Sequence, residues 1–167
     1  ATAAPLPDLQ QLRPGGKRML SRLLTRVETP SDDARISRFL DQACQEGTGH
    51  VLGLTGPPGV GKSTLTDALI RAFRQTGKSV AVLAIDPSSR VSGGALLGDR
   101  TRLQTNPDDP AVFVRSMAAR DRLGGLSDHA IAAIALLRAV VDRVIVESVG
   151  IGQSEGDLVQ ACDTLVL

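Results

Sequence analysis

Residues 51–63 read Val-Leu-Gly-Leu-Thr-Gly-Pro-Pro-Gly-Val-Gly-Lys-Ser, and this stretch decides the fold. Residues 51–55 form an apolar run typical of a buried strand, and the segment that follows Lys62 has the spacing of an amphipathic helix. A strand, a glycine-rich turn and a helix in this order direct free backbone N–H groups and the positive end of the helix dipole toward one point. The stretch therefore predicts an anion-binding site.

The spacing within residues 56–63 matches GxxxxGK[ST], the phosphate-binding P-loop. Glycines let the backbone wrap closely around phosphate oxygens, Lys62 offers a positive charge to the β- and γ-phosphates, and the Ser63 hydroxyl is a ligand for Mg²⁺. The alternative is a glycine-rich turn with a surface lysine. The residues predicted to contact the nucleotide are Gly56, Pro57, Pro58, Gly59, Val60, Gly61, Lys62, Ser63 and Thr64.

The composition of the chain limits its function classes. Its 167 residues fit one domain, with 42% hydrophobic residues, 22% charged residues and a formal net charge of +1. This charge balance argues against nucleic acid as a partner, and no apolar run approaches the ~18 residues of a membrane span. Cys44 and Cys162 form neither a CxxC pair nor a metal-ligand cluster, which favours a reduced, cytoplasmic setting.

The chain divides into three predicted parts. Residues 1–16 contain several Pro and Gly residues and predict a linker or a frayed arm. Residues 17–48 show helical spacing in two segments, 17–28 and 32–46, the second with Ser31 in place to cap it. Residues 49–167 form the predicted core. Because the chain begins without Met and ends in an apolar run, we expect it to be a piece of a longer protein whose core continues.

The core alternates short apolar runs with amphipathic helices, which predicts an α/β three-layer fold with a mostly parallel sheet. Strands are expected at residues 51–55, 80–85, 112–115, 144–146 and from 164 onward, and helices at 62–76 and 127–141. Residues 87–110 predict a long functional loop. The helix side chains expected to face the core are Leu65, Leu69, Phe73, Ile131, Ile134 and Leu137.

Acidic residues follow two of the predicted strands, and a third lies in the long loop. Asp86 follows residues 80–85, Glu147 follows residues 144–146, and Asp99 lies after Gly98. Since ligands bind at the carboxyl ends of parallel strands and Mg²⁺ is held by one or two carboxylates, these acids are candidate metal ligands together with Ser63. Asp86 could equally be a solvated turn residue and Asp99 a member of a surface ion pair.

Residues 147–150 have the acid-x-x-Gly form of a segment that senses the γ-phosphate in GTPases, with Gly150 supplying the flexible N–H. Gln153 follows and is a candidate for orienting water, the alternative being an ordinary loop amide. The candidate catalytic residues are Lys62, Asp86, Glu147 and Gln153.

Four motifs in order resemble the MeaB/ArgK family of GTPases, from about Arg18 to the end of the chain. They lie within residues 53–64, 82–102, 115–126 and 146–155. The chain departs from the family pattern at residues 90–92 and 120–122. The family's guanine-reading Asn-Lys-x-Asp segment and its dimerisation helices would lie beyond Leu167, so a preference for guanine rests on the resemblance.

The resemblance implies a P-loop GTPase sheet with magnesium and switch acids at Asp86, Asp99 and Glu147. It implies GTP as substrate, GDP as product and Mg²⁺ as cofactor. Family members hydrolyse GTP while they chaperone an adenosylcobalamin-dependent methylmalonyl-CoA mutase. The full-length form is expected to be a homodimer.

Three other functions remain open from the residues. One is an ATP-using kinase or ATPase of the lysine-arginine-ornithine transport system type, which needs an acceptor pocket with a catalytic base that His50 and His129 do not obviously supply. A second is a nickel-inserting GTPase, against which the lack of a Cys/His cluster argues. The third is a nucleotide-binding fragment without activity of its own.

Overall fold

The computed structural model describes residues 5–29, 32–86, 103, 108–118, 127–148 and 154–167; the side chains at positions 14, 15, 86, 154 and 155 lie outside this description. The elements, in chain order, are α1 (Leu9–Glu28), α2 (Ala34–Glu46), β1 (His50–Leu54), α3 (Lys62–Gln75), β2 (Val80–Asp86), β3 (Val112–Ala118), α4 (Asp128–Val140), β4 (Arg143–Ser148), α5 (Ser154–Ala161) and β5 (Thr164–Val166).

The strands form one five-stranded sheet in the order β3-β2-β4-β1-β5. Every strand pair is parallel, and the register places Leu54 of β1 and Ala84 of β2 on either side of Glu147 in β4. The parallel α/β architecture predicted from the sequence is confirmed. The P-loop strand β1 and the strand that carries Glu147 are therefore neighbours.

Helices cover both faces of the sheet. On one face, Ile70 of α3 packs in a cluster with alternate strand residues such as Val80, Val82 and Ile145. On the other face, α1, α2 and α4 form a larger cluster with residues such as Leu83 and Val144. Because the central strands are buried on both faces, they lack the polar alternation of half-exposed strands, as the run at residues 80–85 predicts.

The N-terminal segment is more helical than the sequence predicts, since α1 begins at Leu9 within the expected linker. The Asp8 carboxylate accepts from the backbone of the first turn, and the Gln11 side chain accepts from the Asp8 N–H, so together they form a capping box. Leu12 is buried against the core, which stabilises the early helix. The helix is nevertheless interrupted at Gly16, where φ is 76° and the backbone leaves the helical region.

Helix α2 begins at Ala34, and its cap is Asp33 rather than the predicted Ser31, which lies outside the described residues. Asp33 Oδ1 accepts from the Arg35 N–H at 3.0 Å, and the Arg35 guanidinium lies 2.8 Å from Asp33 Oδ2. These hydrogen bonds from Arg35 lower the pKa of Asp33 to about 2. A carboxylate at this position satisfies a free N–H and complements the helix dipole.

Two predicted core positions are wrong. Leu65 is 40% exposed and Ile131 is 48% exposed, whereas Thr66 and Ile70 of α3 are buried. The buried stripe of α3 is therefore shifted by one residue from the predicted one. Strands β3 and β4 also extend past their predicted ends, because their last residues continue to pair with β2. Within the described part of the chain, no helix has the length and apolarity to cross a membrane.

Candidate functional site

The loop between β1 and α3 has three glycines with positive φ, and two of them show why glycine is needed there. Gly59 has φ 84° and Gly61 has φ 98°, both in the left-handed region that other residues rarely adopt. A Cβ atom at either position would meet nothing within 4 Å, so the backbone conformation, not crowding, selects glycine there. The chain can thus turn sharply from the strand into the helix.

The N-terminus of α3 is open toward this loop. Its cap residue is Gly61, which has no side chain to accept a hydrogen bond. The Leu65 N–H donates to the Gly61 carbonyl at 3.0 Å. The N–H groups of the first helical turn have no partner inside the helix and point out of its end. Together with the helix dipole, they favour an anion at the loop.

The Lys62 ammonium lies over the backbone of the loop. Its Nζ donates to the Gly56 carbonyl at 2.7 Å and to the Pro57 carbonyl at 3.0 Å. An ammonium carries three donors on a flexible stem, so it can exchange these carbonyls for phosphate oxygens. The structure therefore places a mobile cation next to the open helix terminus.

The structure brings Ser63 and Glu147 together. Ser63 Oγ donates to Glu147 Oε1 at 3.4 Å, and Thr66 Oγ1 lies 3.2 Å from Glu147 Oε2. Glu147 is the penultimate residue of β4 and is half-buried. Two residues of the first turns of α3 thus contact the two oxygens of a carboxylate from the neighbouring strand.

This arrangement fits a magnesium ion. The groups that meet are a hydroxyl and a carboxylate, and Mg²⁺ prefers oxygen ligands, few of which come from the protein. Ser63 and Glu147 would hold the ion, directly or through water. The described residues include no cluster of three or more His, Cys, Asp or Glu side chains, so no site of the kind that encloses a metal with protein ligands alone is present among them.

The other residues predicted to belong to the site do not all lie beside Glu147. Gly56, Pro57, Pro58, Val60 and Thr64 lie along the loop and the first turn of α3, with Val60 59% exposed. Asp86 is the last residue of β2, two positions beyond the partner of Glu147, so its backbone reaches the same edge of the sheet. The side chain of Asp86 lies outside the described residues, as do Asp99, Gly150 and Gln153.

Sequence reasoning missed three buried hydroxyl groups at this edge. Thr66 is fully buried beside Glu147, and Thr55 and Ser148 directly follow the paired residues Leu54 and Glu147. Within the part of the chain that the structure describes, Thr55 Oγ1 and Ser148 Oγ have no hydrogen-bond partner. The sequence pattern that could have identified these hydroxyl groups is a polar residue directly after an apolar strand, or one on the apolar stripe of a helix.

The fold and this edge of the sheet define a P-loop nucleotide-binding protein. A solved structure titled "LAO/AO transport system kinase" superposes with a TM-score of 0.69 at 31% identity and covers 94% of this chain and 47% of that one. A sequence model of the family described as "Methylmalonyl Co-A mutase-associated GTPase MeaB" matches residues 20–167. The chain belongs to the MeaB family, and the resemblance seen in the four motifs is confirmed.

Two relatives are longer than this chain. A Pyrococcus horikoshii protein is 46% identical over 166 residues, which cover 98% of this chain and 52% of the relative. The protein named "Fused isobutyryl-CoA mutase" from Cupriavidus metallidurans is 42% identical over 153 residues, which cover 89% of this chain and 14% of that protein. The chain spans about half the length of the Pyrococcus relative.

Proposed function

We propose that this chain is the nucleotide-binding part of a GTPase that binds GTP with Mg²⁺ and hydrolyses it to GDP and phosphate. The observation that carries the proposal is the convergence of Ser63 and Glu147 beside the P-loop, at 3.4 Å. A phosphate-binding loop alone would suit many nucleotide-binding proteins. The neighbouring carboxylate adds a metal ligand and a polar group near the γ-phosphate, as hydrolysis requires.

In this proposal each residue of the site has a separate task. The N–H groups of residues 59–64 bind the phosphate oxygens, and Lys62 leaves the Gly56 and Pro57 carbonyls to contact the β- and γ-phosphates. Magnesium, when bound, neutralises charge on the β- and γ-phosphate oxygens. Ser63 and Glu147 orient that end of the nucleotide, and residues 49–167 act as one nucleotide-binding core covered by α1 and α2.

The proposal keeps the sequence assignments at the other switch positions. Asp86 and Asp99 are further ligands toward the metal, Gly150 offers its N–H to the γ-phosphate, and Gln153 orients the attacking water. After hydrolysis the γ-phosphate contacts are lost, and segments that depended on them relax. Turnover by the chain alone is expected to be slow, because partners of such switches add ~10³- to 10⁵-fold in rate.

We further propose that the partner is an adenosylcobalamin-dependent acyl-CoA mutase, of which methylmalonyl-CoA mutase is the first candidate. The family description names a methylmalonyl-CoA mutase. In the Cupriavidus relative, the segment similar to this chain is part of a fused isobutyryl-CoA mutase. A fusion places the two activities in one molecule, which favours a working contact between them.

Phosphate release tests the proposal. The chain would be incubated with GTP or with ATP, each with Mg²⁺, and with or without a cobalamin-dependent acyl-CoA mutase. We expect release from GTP to exceed release from ATP and to increase when the mutase is present. Equal use of ATP without any response to the mutase would contradict a mutase-associated GTPase, and phosphate transferred to an added small molecule would favour a kinase instead.

A further inference from the structure

Thr66 is a buried residue of α3 that contacts the acid of the site, and the sequence motifs assign no role to it. It lies one turn after Lys62 in α3 and is 0% exposed. Its Oγ1 is 2.9 Å from the Lys62 carbonyl oxygen and 3.2 Å from Glu147 Oε2. A hydroxyl group in this position has two acceptors within reach.

The Thr66 hydroxyl has only one hydrogen to donate, so its two acceptors compete. The Lys62 carbonyl already accepts the N–H of residue 66 by the regular hydrogen bond of an α-helix, and a hydroxyl that also bonds to it adds little. Glu147 offers a carboxylate oxygen, and hydrogen bonds to charged acceptors are the stronger ones. The Lys62 carbonyl is the nearer acceptor, but the charge of the carboxylate favours donation to Glu147 Oε2.

We propose that Thr66 is a positioning residue that holds one oxygen of Glu147 and thereby turns the other toward Ser63. This inference rests on the proposed function, in which Glu147 acts toward the metal and the γ-phosphate. Ser63 contacts Oε1 and Thr66 contacts Oε2, so the two hydroxyls fix the plane of the carboxylate. Partners of this kind tune metal ligands, and their loss typically costs ~10- to 100-fold in metal affinity or activity.

The placement also links the acid to the phosphate loop. Lys62, Ser63 and Thr66 belong to the first turns of one helix, whereas Glu147 comes from a neighbouring strand. A hydrogen bond between Thr66 and Glu147 therefore couples the carboxylate to the helix that carries the phosphate-binding residues.

The test compares Thr66→Val, which keeps the branched shape and removes the donor, with Thr66→Ser, which keeps the donor. Thr76→Val is a matched control, since Thr76 Oγ1 donates to the Phe73 carbonyl at 2.8 Å at the other end of the same helix. Affinity for GTP is measured by equilibrium titration with Mg²⁺ and with a chelator, alongside kcat and KM. Circular dichroism checks that each variant folds.

For Thr66→Val we expect kcat to fall about 10-fold, and the gain in affinity that Mg²⁺ provides to fall by a smaller factor, because a partner of a metal ligand has been lost. Affinity in the chelator should stay as in wild type. Thr66→Ser and Thr76→Val should match wild type in all measurements. If Thr66→Val does not fold, Thr66→Ala serves as the donor-free variant.

Wild-type values for Thr66→Val, or an equal loss in Thr66→Ser, would overturn the inference and leave the proposed function intact. The first result would mean that Glu147 is held without the hydroxyl, and the second that the methyl group matters instead. A wild-type chain that binds no triphosphate with Mg²⁺ would contradict the proposed function itself, and the role of Thr66 with it.

Discussion

Polar groups at the two ends of the parallel sheet differ in their hydrogen bonding. At the amino end, Asp142 Oδ2 accepts from both the N–H and the hydroxyl of Ser79 at 2.9 Å, and Ser79 Oγ accepts from the Asp142 N–H at 2.9 Å. At the carboxyl end, Thr55 Oγ1 and Ser148 Oγ are buried without a partner in the described residues. Among the described residues, Ser79 and Asp142 are thus paired with each other at the amino end, whereas two hydroxyl groups at the carboxyl end are unpaired.

We interpret this difference as a division between residues that stabilise the fold and residues proposed to bind the nucleotide. Buried polar groups are nearly always paired in folded proteins, so unpaired ones cluster where a ligand, an ion or water completes them. The carboxyl end also carries the open terminus of α3 and the Lys62 ammonium. Changes at the carboxyl end should therefore affect nucleotide binding, and changes elsewhere should affect stability.

The largest expected effect follows from Lys62→Ala. Affinity for GTP with Mg²⁺ should fall on the order of 100-fold, since a hydrogen bond to a charged group contributes up to ~3 kcal/mol and each ~1.4 kcal/mol is tenfold. Equilibrium titration measures this affinity. Lys78→Ala, which removes an exposed lysine near the amino end, is the control and should bind as wild type. Unchanged affinity in Lys62→Ala would show that the site is assigned wrongly.

Glu147→Gln should separate hydrolysis from binding. The change keeps the size of the side chain and removes its charge, so Mg²⁺-dependent phosphate release should fall by about 10- to 100-fold while nucleotide affinity changes less. Single-turnover hydrolysis and equilibrium binding measure the two quantities. Glu46→Gln, at the exposed end of α2, is the matched control. Equal losses in affinity and in hydrolysis would mean that Glu147 mainly supports the loop.

Arg115→Met should affect stability and leave nucleotide affinity intact. The Arg115 guanidinium is 10% exposed and donates to Glu28 Oε1 at 2.7 Å and to Thr25 Oγ1 at 3.1 Å, so it joins β3 to α1. Losing hydrogen bonds to a charged group costs about 1.5–3 kcal/mol, which lowers the unfolding temperature by roughly 5–10 °C.

Thermal unfolding measures this effect, and Arg22→Met, on the exposed side of α1, serves as the control. A large loss of GTP affinity in Arg115→Met, without a change in unfolding temperature, would contradict the division between binding and stabilising residues.

The smallest expected effect is a change in the pH dependence of stability in Asp142→Asn. The backbone hydrogen bond from Ser79 lowers the pKa of Asp142. A carboxyl whose pKa is lower in the folded state stabilises the fold above its unfolded pKa of about 3.9 and loses that contribution as the pH falls below it. Because the group is exposed, the variant should lose less than about 1 kcal/mol at pH 7.

Urea unfolding at pH 7 and at low pH measures this difference. The two proteins should converge as the pH falls below about 4, since Asp142 is then progressively neutral in wild type also. A difference that grows on acidification would show that Asp142 stabilises the fold by something other than its charge.

Much of this architecture follows from the sequence, because apolar runs and helical periodicity report burial directly. The parallel sheet, the helix after the P-loop and the helix capped by Ser127 were all predictable on that basis. The pairing of Ser63 with Glu147 was also expected, since Glu147 lies at the carboxyl end of a strand and Ser63 lies in the first turn of the helix that follows the P-loop. That reasoning needs only local patterns and the parallel topology.

The rest required tertiary information. Residues 9–16 contain Pro and Gly and predict no helix, yet Leu9 and Leu12 are buried against the core, and this burial outweighs weak local propensity. Thr66 was missed because the core-facing stripe predicted for α3 lies one residue before the stripe that is buried. Which residues of a helix form its buried stripe depends on how the helix packs against the sheet.

The central claim is that the carboxyl end of the sheet, and not the amino end, binds the nucleotide. Amide chemical shifts, measured by NMR while the chain is titrated with a non-hydrolysable GTP analogue and Mg²⁺, test it most directly. This placement of the site predicts large changes at Gly56, at residues 59–64 and at Glu147, with little change at His50, Ser79 and Asp142; Pro57 and Pro58 have no N–H. Changes concentrated at the amino end, or none at residues 56–64, would contradict it.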